Sequence, residues 1–179
     1  GYDHDPAHIQ RLQGGAPHAG LDSGAIARIR CTADPARRRQ ATFHIVTVPT
    51  PVDEARRPDL SLLRQACAAL AGILKPQDTV VFESTVYPGA TREVCLPLLE
   101  EGSGLTAGRD FHLAYSPERV NPGDAAHSLE HVVKIVAGLT PQTTAAVSAV
   151  YGAILKHPPY EAPSLEVAEA AKALENTQR

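Results

Sequence analysis

The sequence predicts an α/β fold built on a doubly wound parallel sheet, and three features predict it. Two compact β-branched runs, Phe43-His-Ile-Val-Thr-Val48 and Thr79-Val-Val-Phe-Glu-Ser84, read as strands buried on both faces. Segments with helical spacing of apolar residues follow them, at 59–73 and 90–100. Each run ends in residues that suit neither helix nor strand: Pro49-Thr-Pro51 after the first and Thr85-Val-Tyr-Pro-Gly89 after the second. Strands alternating with helices imply a parallel sheet with right-handed crossovers. In such a sheet the loops after the strands open on one edge, where ligands bind.

In chain order, residues 1–5 read as the end of a strand entering a helix that starts at Pro6, with Asp5 as its cap, and stops near Gly14-Gly15. That capping role leaves Asp3 free where the chain leaves the strand. In nucleotide-binding βαβ units an acid at that place accepts the ribose hydroxyls of NAD and repels a 2′-phosphate. Residues 26–32 alternate like a short strand, and 35–40 form a short helical stretch. Asp59 is placed to cap the helix over 59–73. Residues 102–107 spell G-x-G-x-x-A, but they follow a helix and precede a strand, the reverse of what a phosphate-binding turn needs, so they read as a helix C-terminal turn.

An extended apolar run, 111–115, then stops at Ser116-Pro-Glu-Arg-Val-Asn-Pro-Gly-Asp124. A carboxylate, a guanidinium and an amide crowd together there before the chain turns; an ordinary surface turn has the same composition. Residues 131–138 read as a further strand and 141–154 as a helix. Ser164 caps a last helix, from 165, that is still running at Arg179. Three Pro within 157–163 mark the linker, which divides the chain into a domain over 1–157 and a linker with the start of a helix over 158–179.

Seventeen Lys and Arg against 20 Asp and Glu, with no long basic run, argue against nucleic acid as a partner. No apolar stretch approaches the ~20 residues of a membrane span, and nothing resembles a signal peptide, which points to the cytoplasm. Cys31, Cys67 and Cys95 are odd in number and widely spaced, as reduced thiols are. His127-Ser-Leu-Glu-His131 spells H-x-x-E-H, yet it lies between a turn and a strand with no helix to hold two imidazoles on a zinc ion, so no metal is expected. What converges instead is a set of strand-end loops: Thr50, Ser84-Thr85 and 116–123. Lys172 and Asn176, four apart, share a face of the last helix, as residues of a solvated helix surface also do.

Together these segments carry a resemblance. Val46-Thr-Val-Pro-Thr-Pro-Val-Asp53, Pro58-Asp-Leu60, Glu83-Ser-Thr-Val-Tyr-Pro-Gly-Ala-Thr91, 116–124 and 166–179 closely resemble the UDP-glucose/GDP-mannose dehydrogenase family, and within it the bacterial UDP-N-acetylhexosamine 6-dehydrogenases of capsule, Vi-antigen and O-antigen synthesis. The resemblance implies a Rossmann-like NAD-binding domain in an enzyme that oxidises the C6 alcohol of a UDP-N-acetylhexosamine to a carboxylate, with two hydride transfers to NAD. Asp3 would hold the adenosine ribose, and Thr50 and Thr85 would lie along the NAD. Glu118 would be the catalytic carboxylate that helps activate the water that hydrolyses a covalent Cys thioester, and Lys172 would stabilise the developing oxyanion or relay its proton. Thr85 and Asn176 would complete the catalytic set, with Arg119, Val120, Asn176 and Arg179 against the substrate. A homodimer through the central helix is implied for the parent protein.

Three departures from the family pattern qualify that expectation. Its first strand and glycine turn, its nucleophilic Cys and its UDP-binding domain have no counterpart in these 179 residues, so the chain reads as a fragment that is inactive alone. UDP-glucose or GDP-mannose as substrate, and a non-catalytic nucleotide-binding remnant, are the alternatives.

Overall fold

A computed structural model describes residues 1–16, 23–55, 57–118 and 133–178. They fall into two compact units, one within 1–41 and one within 42–179.

In the first unit α1 (Pro6–Gln13) begins as expected: the Asp5 carboxylate accepts the Ala7 N–H at 2.9 Å, and Pro6 occupies the first turn. Tyr2 forms a single parallel bridge to Thr32, so residues around them run side by side without a full strand. The strand expected over 26–32 is not there. Ser23–Ala27 forms a short helix, α2, and of the expected strand only Thr32 pairs. Ala27 and Ile29, which a strand would place on one face, are both exposed, so the alternation does not line a covered face. A 3-10 helix over Pro35–Gln40 is capped by Asp34, whose carboxylate accepts the Ala36 N–H at 2.9 Å.

The second unit holds a five-stranded sheet in the order β1 (Phe43–Val46), β2 (Thr79–Phe82), β3 (His112–Tyr115), β4 (Ile135–Gly138), β5 (Tyr160–Glu161). β1, β2 and β3 are parallel, with Val46 opposite Phe82 and Phe82 opposite Tyr115. All four residues of β2 are buried, as a central parallel strand requires. β4 departs from the all-parallel expectation: it runs antiparallel to β3, pairing Ala114 with Gly138. A parallel return needs a crossover of a dozen or more residues, usually a helix, and the sequence between 116 and 130 has no helical pattern. β5 is parallel to β4, and α5 (Pro141–Gly152) makes that crossover. The Pro-rich stretch read as a linker therefore adds two residues to the sheet.

Helix α3 (Ser61–Ala71) buries Leu63, Cys67, Leu70 and Ala71, one stripe at helical spacing. The helix expected over 90–100 begins instead as a π turn, Thr91–Cys95, and continues as α4 (Leu96–Ser103). The Leu96 N–H reaches back five residues to the Thr91 carbonyl, and Pro97, with no N–H, does not restore the ordinary ladder. α4 runs to Ser103, three residues past the expected end, and stops within the turn read at 102–107, with Gly104 left-handed at φ 71°. At α6 (Leu165–Gln178), Ser164 Oγ accepts the Val167 N–H at 3.3 Å, as expected of its cap.

Candidate active site at the strand ends

The three parallel strands deliver their carboxyl ends to one edge of the second unit. After β1 come Val48, Pro49 and Thr50; after β2, Glu83, Ser84 and Thr85; after β3, Ser116, Pro117 and Glu118. Two hydroxyls fasten the first pair of loops. Ser84 Oγ donates to the Val48 carbonyl at 2.6 Å, and Thr50 Oγ1 donates to the Thr85 carbonyl at 2.5 Å. The third loop is tied on both sides: the Ser116 N–H donates to the Phe82 carbonyl at 2.9 Å, and Ser116 Oγ to the Ile135 carbonyl at 2.7 Å. Between the loops lies a cavity of about 410 Å³, lined by 47–50, 83–85 and Glu118. Thr50, Thr85 and Glu118, chosen from the sequence, thus surround one space, and Thr85 and Glu118 are exposed to solvent there.

The ionic cluster beneath this edge was not anticipated. Lys134, the residue before β4 and 4% exposed, places Nζ 2.8 Å from Glu83 Oε1 and 4.8 Å from the centre of the Tyr151 ring. The same Glu83 oxygen accepts the Tyr151 hydroxyl at 2.5 Å. Burial, reinforced by the Glu83 carboxylate, pushes the Tyr151 phenol well above its usual value, so it is a neutral donor at physiological pH. One signal for the cluster was present in the sequence: a Lys inside the apolar run Val132-Val-Lys-Ile-Val136 must be paired if that strand is buried.

Helix α6 meets the other side of the β2 loop. Glu169 is fully buried, and its carboxylate accepts the N–H of Gly89 at 2.5 Å and of Thr91 at 2.9 Å. Leu165, Ala168, Glu169 and Lys172 form the buried stripe of α6. Lys172 is therefore no solvated surface lysine, being 9% exposed, whereas Asn176 is exposed. Neither lines the cavity. Arg119, Val120, Arg179 and the histidines of the H-x-x-E-H motif lie outside the described residues, and no group of three metal-ligating side chains occurs among the described ones.

Asp3 belongs to the first unit and is not wholly free. Its Oδ1 accepts the Asp5 N–H at 2.8 Å, while the side chain stays 42% exposed. That unit has a cavity of about 260 Å³ bordered by Leu12, Ile26 and Cys31, with no charged side chain in its lining. Cys67 and Cys95 are buried, and the neighbouring Cys67 thiol, with burial, pushes the Cys95 thiol up, away from a reactive thiolate.

The strand-end cavity suits part of a dinucleotide. Its lining offers hydroxyls, backbone carbonyls and two carboxylates, and no Arg or Lys. Such a set accepts ribose O–H groups and faces a cationic nicotinamide ring favourably, but gives a pyrophosphate no counter-charge. No helix of the described residues is long and apolar enough to cross a membrane.

The sequence model for the UDP-glucose/GDP-mannose dehydrogenase family, NAD binding domain, matches residues 3–155. The chain is 50% identical over 141 residues to a UDP-N-acetyl-D-glucosamine 6-dehydrogenase of Pseudomonas aeruginosa, covering 79% of this chain and 33% of that one. It is 44% identical over 151 residues to the enzyme of that name from Salmonella typhi, covering 84% of this chain and 36% of the relative. Among solved structures, the UDP-D-ManNAc dehydrogenase of Pyrococcus horikoshii superposes with a TM-score of 0.91 at 29% identity, over 100% of this chain and 44% of that one. The chain thus spans about a third of the length of the curated relatives it matches. The chain belongs to the UDP-glucose/GDP-mannose dehydrogenase family, and what it carries is the NAD binding domain.

Proposed function

We propose that this chain is the cofactor-binding part of an NAD-dependent UDP-N-acetylhexosamine 6-dehydrogenase that makes a uronic acid for surface polysaccharide. The observation that carries this reading is the strand-end cavity, in which Thr50, Thr85 and Glu118 meet. The names of the relatives at 44% and 50% identity favour an N-acetylglucosamine substrate over glucose or mannose.

NAD, when bound, accepts hydride from C6 of the sugar. Thr50 and Thr85 hold its ribose and nicotinamide end, and in the first unit Asp3 serves a pair of ribose hydroxyls with the oxygen that Asp5 leaves open. Glu118, exposed at the cavity, orients and deprotonates the water that hydrolyses the covalent thioester left after the second hydride transfer, releasing the acid and the thiol. Lys172 supplies positive charge to the oxygen at C6 as its proton leaves. Its burial on α6 keeps that charge out of bulk water, which would screen it. Asn176, Arg119, Val120 and Arg179 contact the sugar nucleotide. Residues 1–157 and 158–179 are the cofactor domain and the start of the helix that leads to a UDP-binding domain and a homodimer, in the cytoplasm.

The test is NADH formation by the full-length protein with UDP-GlcNAc, UDP-GalNAc, UDP-ManNAc and UDP-glucose. The expected result is turnover with an N-acetyl sugar and much less with UDP-glucose. No turnover with any of the four refutes the proposal.

A further inference from the structure

We propose that Lys134 is a positioning residue, which fixes the 116–118 loop so that Glu118 is presented to the cavity. The inference rests on the role given to Glu118 above and names the group that makes that role geometrically possible.

Lys134 is a buried cation, and a buried ammonium persists only when its three N–H bonds find partners. Nζ lies 2.8 Å from Glu83 Oε1, 3.3 Å from the Pro117 carbonyl and 3.5 Å from the Ser116 carbonyl. The Tyr151 ring covers it at 4.8 Å, and the Tyr151 hydroxyl locks Glu83 in place. The ammonium is thus committed to the protein, and Lys134 does not line the cavity. That separates it from a role at the reacting atoms.

Its partners explain what it does. Two of them are successive carbonyls, and Glu118 is the next residue along. Ser116 is already held through its N–H and its hydroxyl, and the buried Pro117 has no N–H to donate, so the Lys134 bond to the Pro117 carbonyl fixes the peptide that leads into Glu118. Glu83, the third partner, lines the same cavity as Glu118. One cation therefore fastens the β2 and β3 loops to the start of β4. A buried ion pair is a poor source of stability, since burying two charges costs about what their attraction returns, which makes geometry the better account of its presence.

The test compares Lys134→Met, Lys134→Arg, Glu118→Gln and the double variant Lys134→Met/Glu118→Gln in the full-length protein. Lys134→Met is expected to lower kcat by roughly tenfold to a hundredfold, the cost of a misplaced catalytic group. KM for UDP-GlcNAc should stay within about threefold, because ground-state binding is not what is lost. Lys134→Arg should recover most of the rate. The double variant should be no more than about twofold slower than Glu118→Gln alone, because Lys134 acts through Glu118. Losses that multiply in the double variant, or a kcat for Lys134→Met within about twofold of wild type, overturn the proposal. Hydrogen exchange judges it independently of turnover. Exchange over 112–118 should be about tenfold faster in Lys134→Met and unchanged in Lys134→Arg. Unchanged exchange in Lys134→Met refutes the positioning role even if no UDP-sugar is oxidised, whereas a wild type inactive on all four sugars refutes the assigned reaction instead. Lys134→Gln, which keeps a donor, takes the place of the Met variant if that one does not fold.

Discussion

Replacing Glu169 with Ala should destabilise the domain far more than any surface carboxylate does, and the structure allows the size to be worked out. The Glu169 carboxylate, 0% exposed, is the acceptor for two backbone donors, Gly89 N–H at 2.5 Å and Thr91 N–H at 2.9 Å. Gly89 has φ 100°, so the turn depends on both glycine and the anion that its N–H groups face. Removing the carboxylate leaves two buried donors at ~1–3 kcal/mol each, or roughly 2–6 kcal/mol together. For a chain of 179 residues, at ~2–4 °C per kcal/mol, Tm should fall by roughly 4–24 °C. Glu169→Gln keeps one acceptor and should lose about half as much. Glu166→Ala is the internal control. Its ion pair with Arg92 is short, 2.6 Å, but the side chains are 37% and 46% exposed, so its loss should cost under ~1 kcal/mol. Differential scanning calorimetry near neutral pH measures all three. A Tm for Glu169→Ala within about 2 °C of wild type, or no lower than that of Glu166→Ala, would show that the carboxylate does not hold the turn.

Gly138→Ala places a Cβ 2.5 Å from the Thr144 nitrogen and 2.7 Å from Thr143 Cβ, where α5 closes on β4; backbone must move, so a loss of more than ~2 kcal/mol in urea unfolding is expected, and a loss under ~0.5 would contradict the close approach. Hydrogen bonding to Arg92, with further help from Ser164, holds the Glu166 carboxyl at about 2, below its ordinary 4.5. A depressed value stabilises above the unfolded pKa and is lost as pH falls, so the Tm difference between wild type and Glu166→Gln should shrink from pH ~4.5 to ~2 and remain small, under ~1 kcal/mol, because the pair is partly exposed. Lys172→Ala in the full-length protein should lower kcat by at least about a hundredfold with KM for the sugar nucleotide changed by less than tenfold, as steady-state kinetics will show; an equal loss in both would make Lys172 a binding residue.

Much of this fold is written in local pattern. The strands at 43–46 and 79–82, the caps at Asp5 and Ser164 and the turn at Gly104 were each legible because a few adjacent residues decide them. Strand direction is different. The run that becomes β4 is equally apolar whichever way it points, and only the absence of a helical pattern before it speaks for the antiparallel pairing. Residues 26–32 misled because a short apolar alternation fits a strand and a helical turn alike. The loops bearing Thr50, Thr85 and Glu118 could be assigned to one edge from topology alone. The Lys134, Glu83 and Tyr151 cluster could not, since its members come from three elements and share no spacing. The burial of Lys172 was available in principle. Its spacing from Leu165, Ala168 and Glu169 is that of one helical stripe, obscured because two of the four are charged.

The most direct measurement of the central claim, that the strand-end cavity is a dehydrogenase site in which Glu118 acts on water, is the yield of NADH per UDP-GlcNAc consumed. It should be made with the full-length protein in its wild-type and Glu118→Gln forms. The account predicts two NADH for each sugar carried to the uronic acid, and a rate lowered by about a hundredfold or more in the variant. No NADH from the wild type, or a Glu118→Gln variant as fast as the wild type, would contradict it.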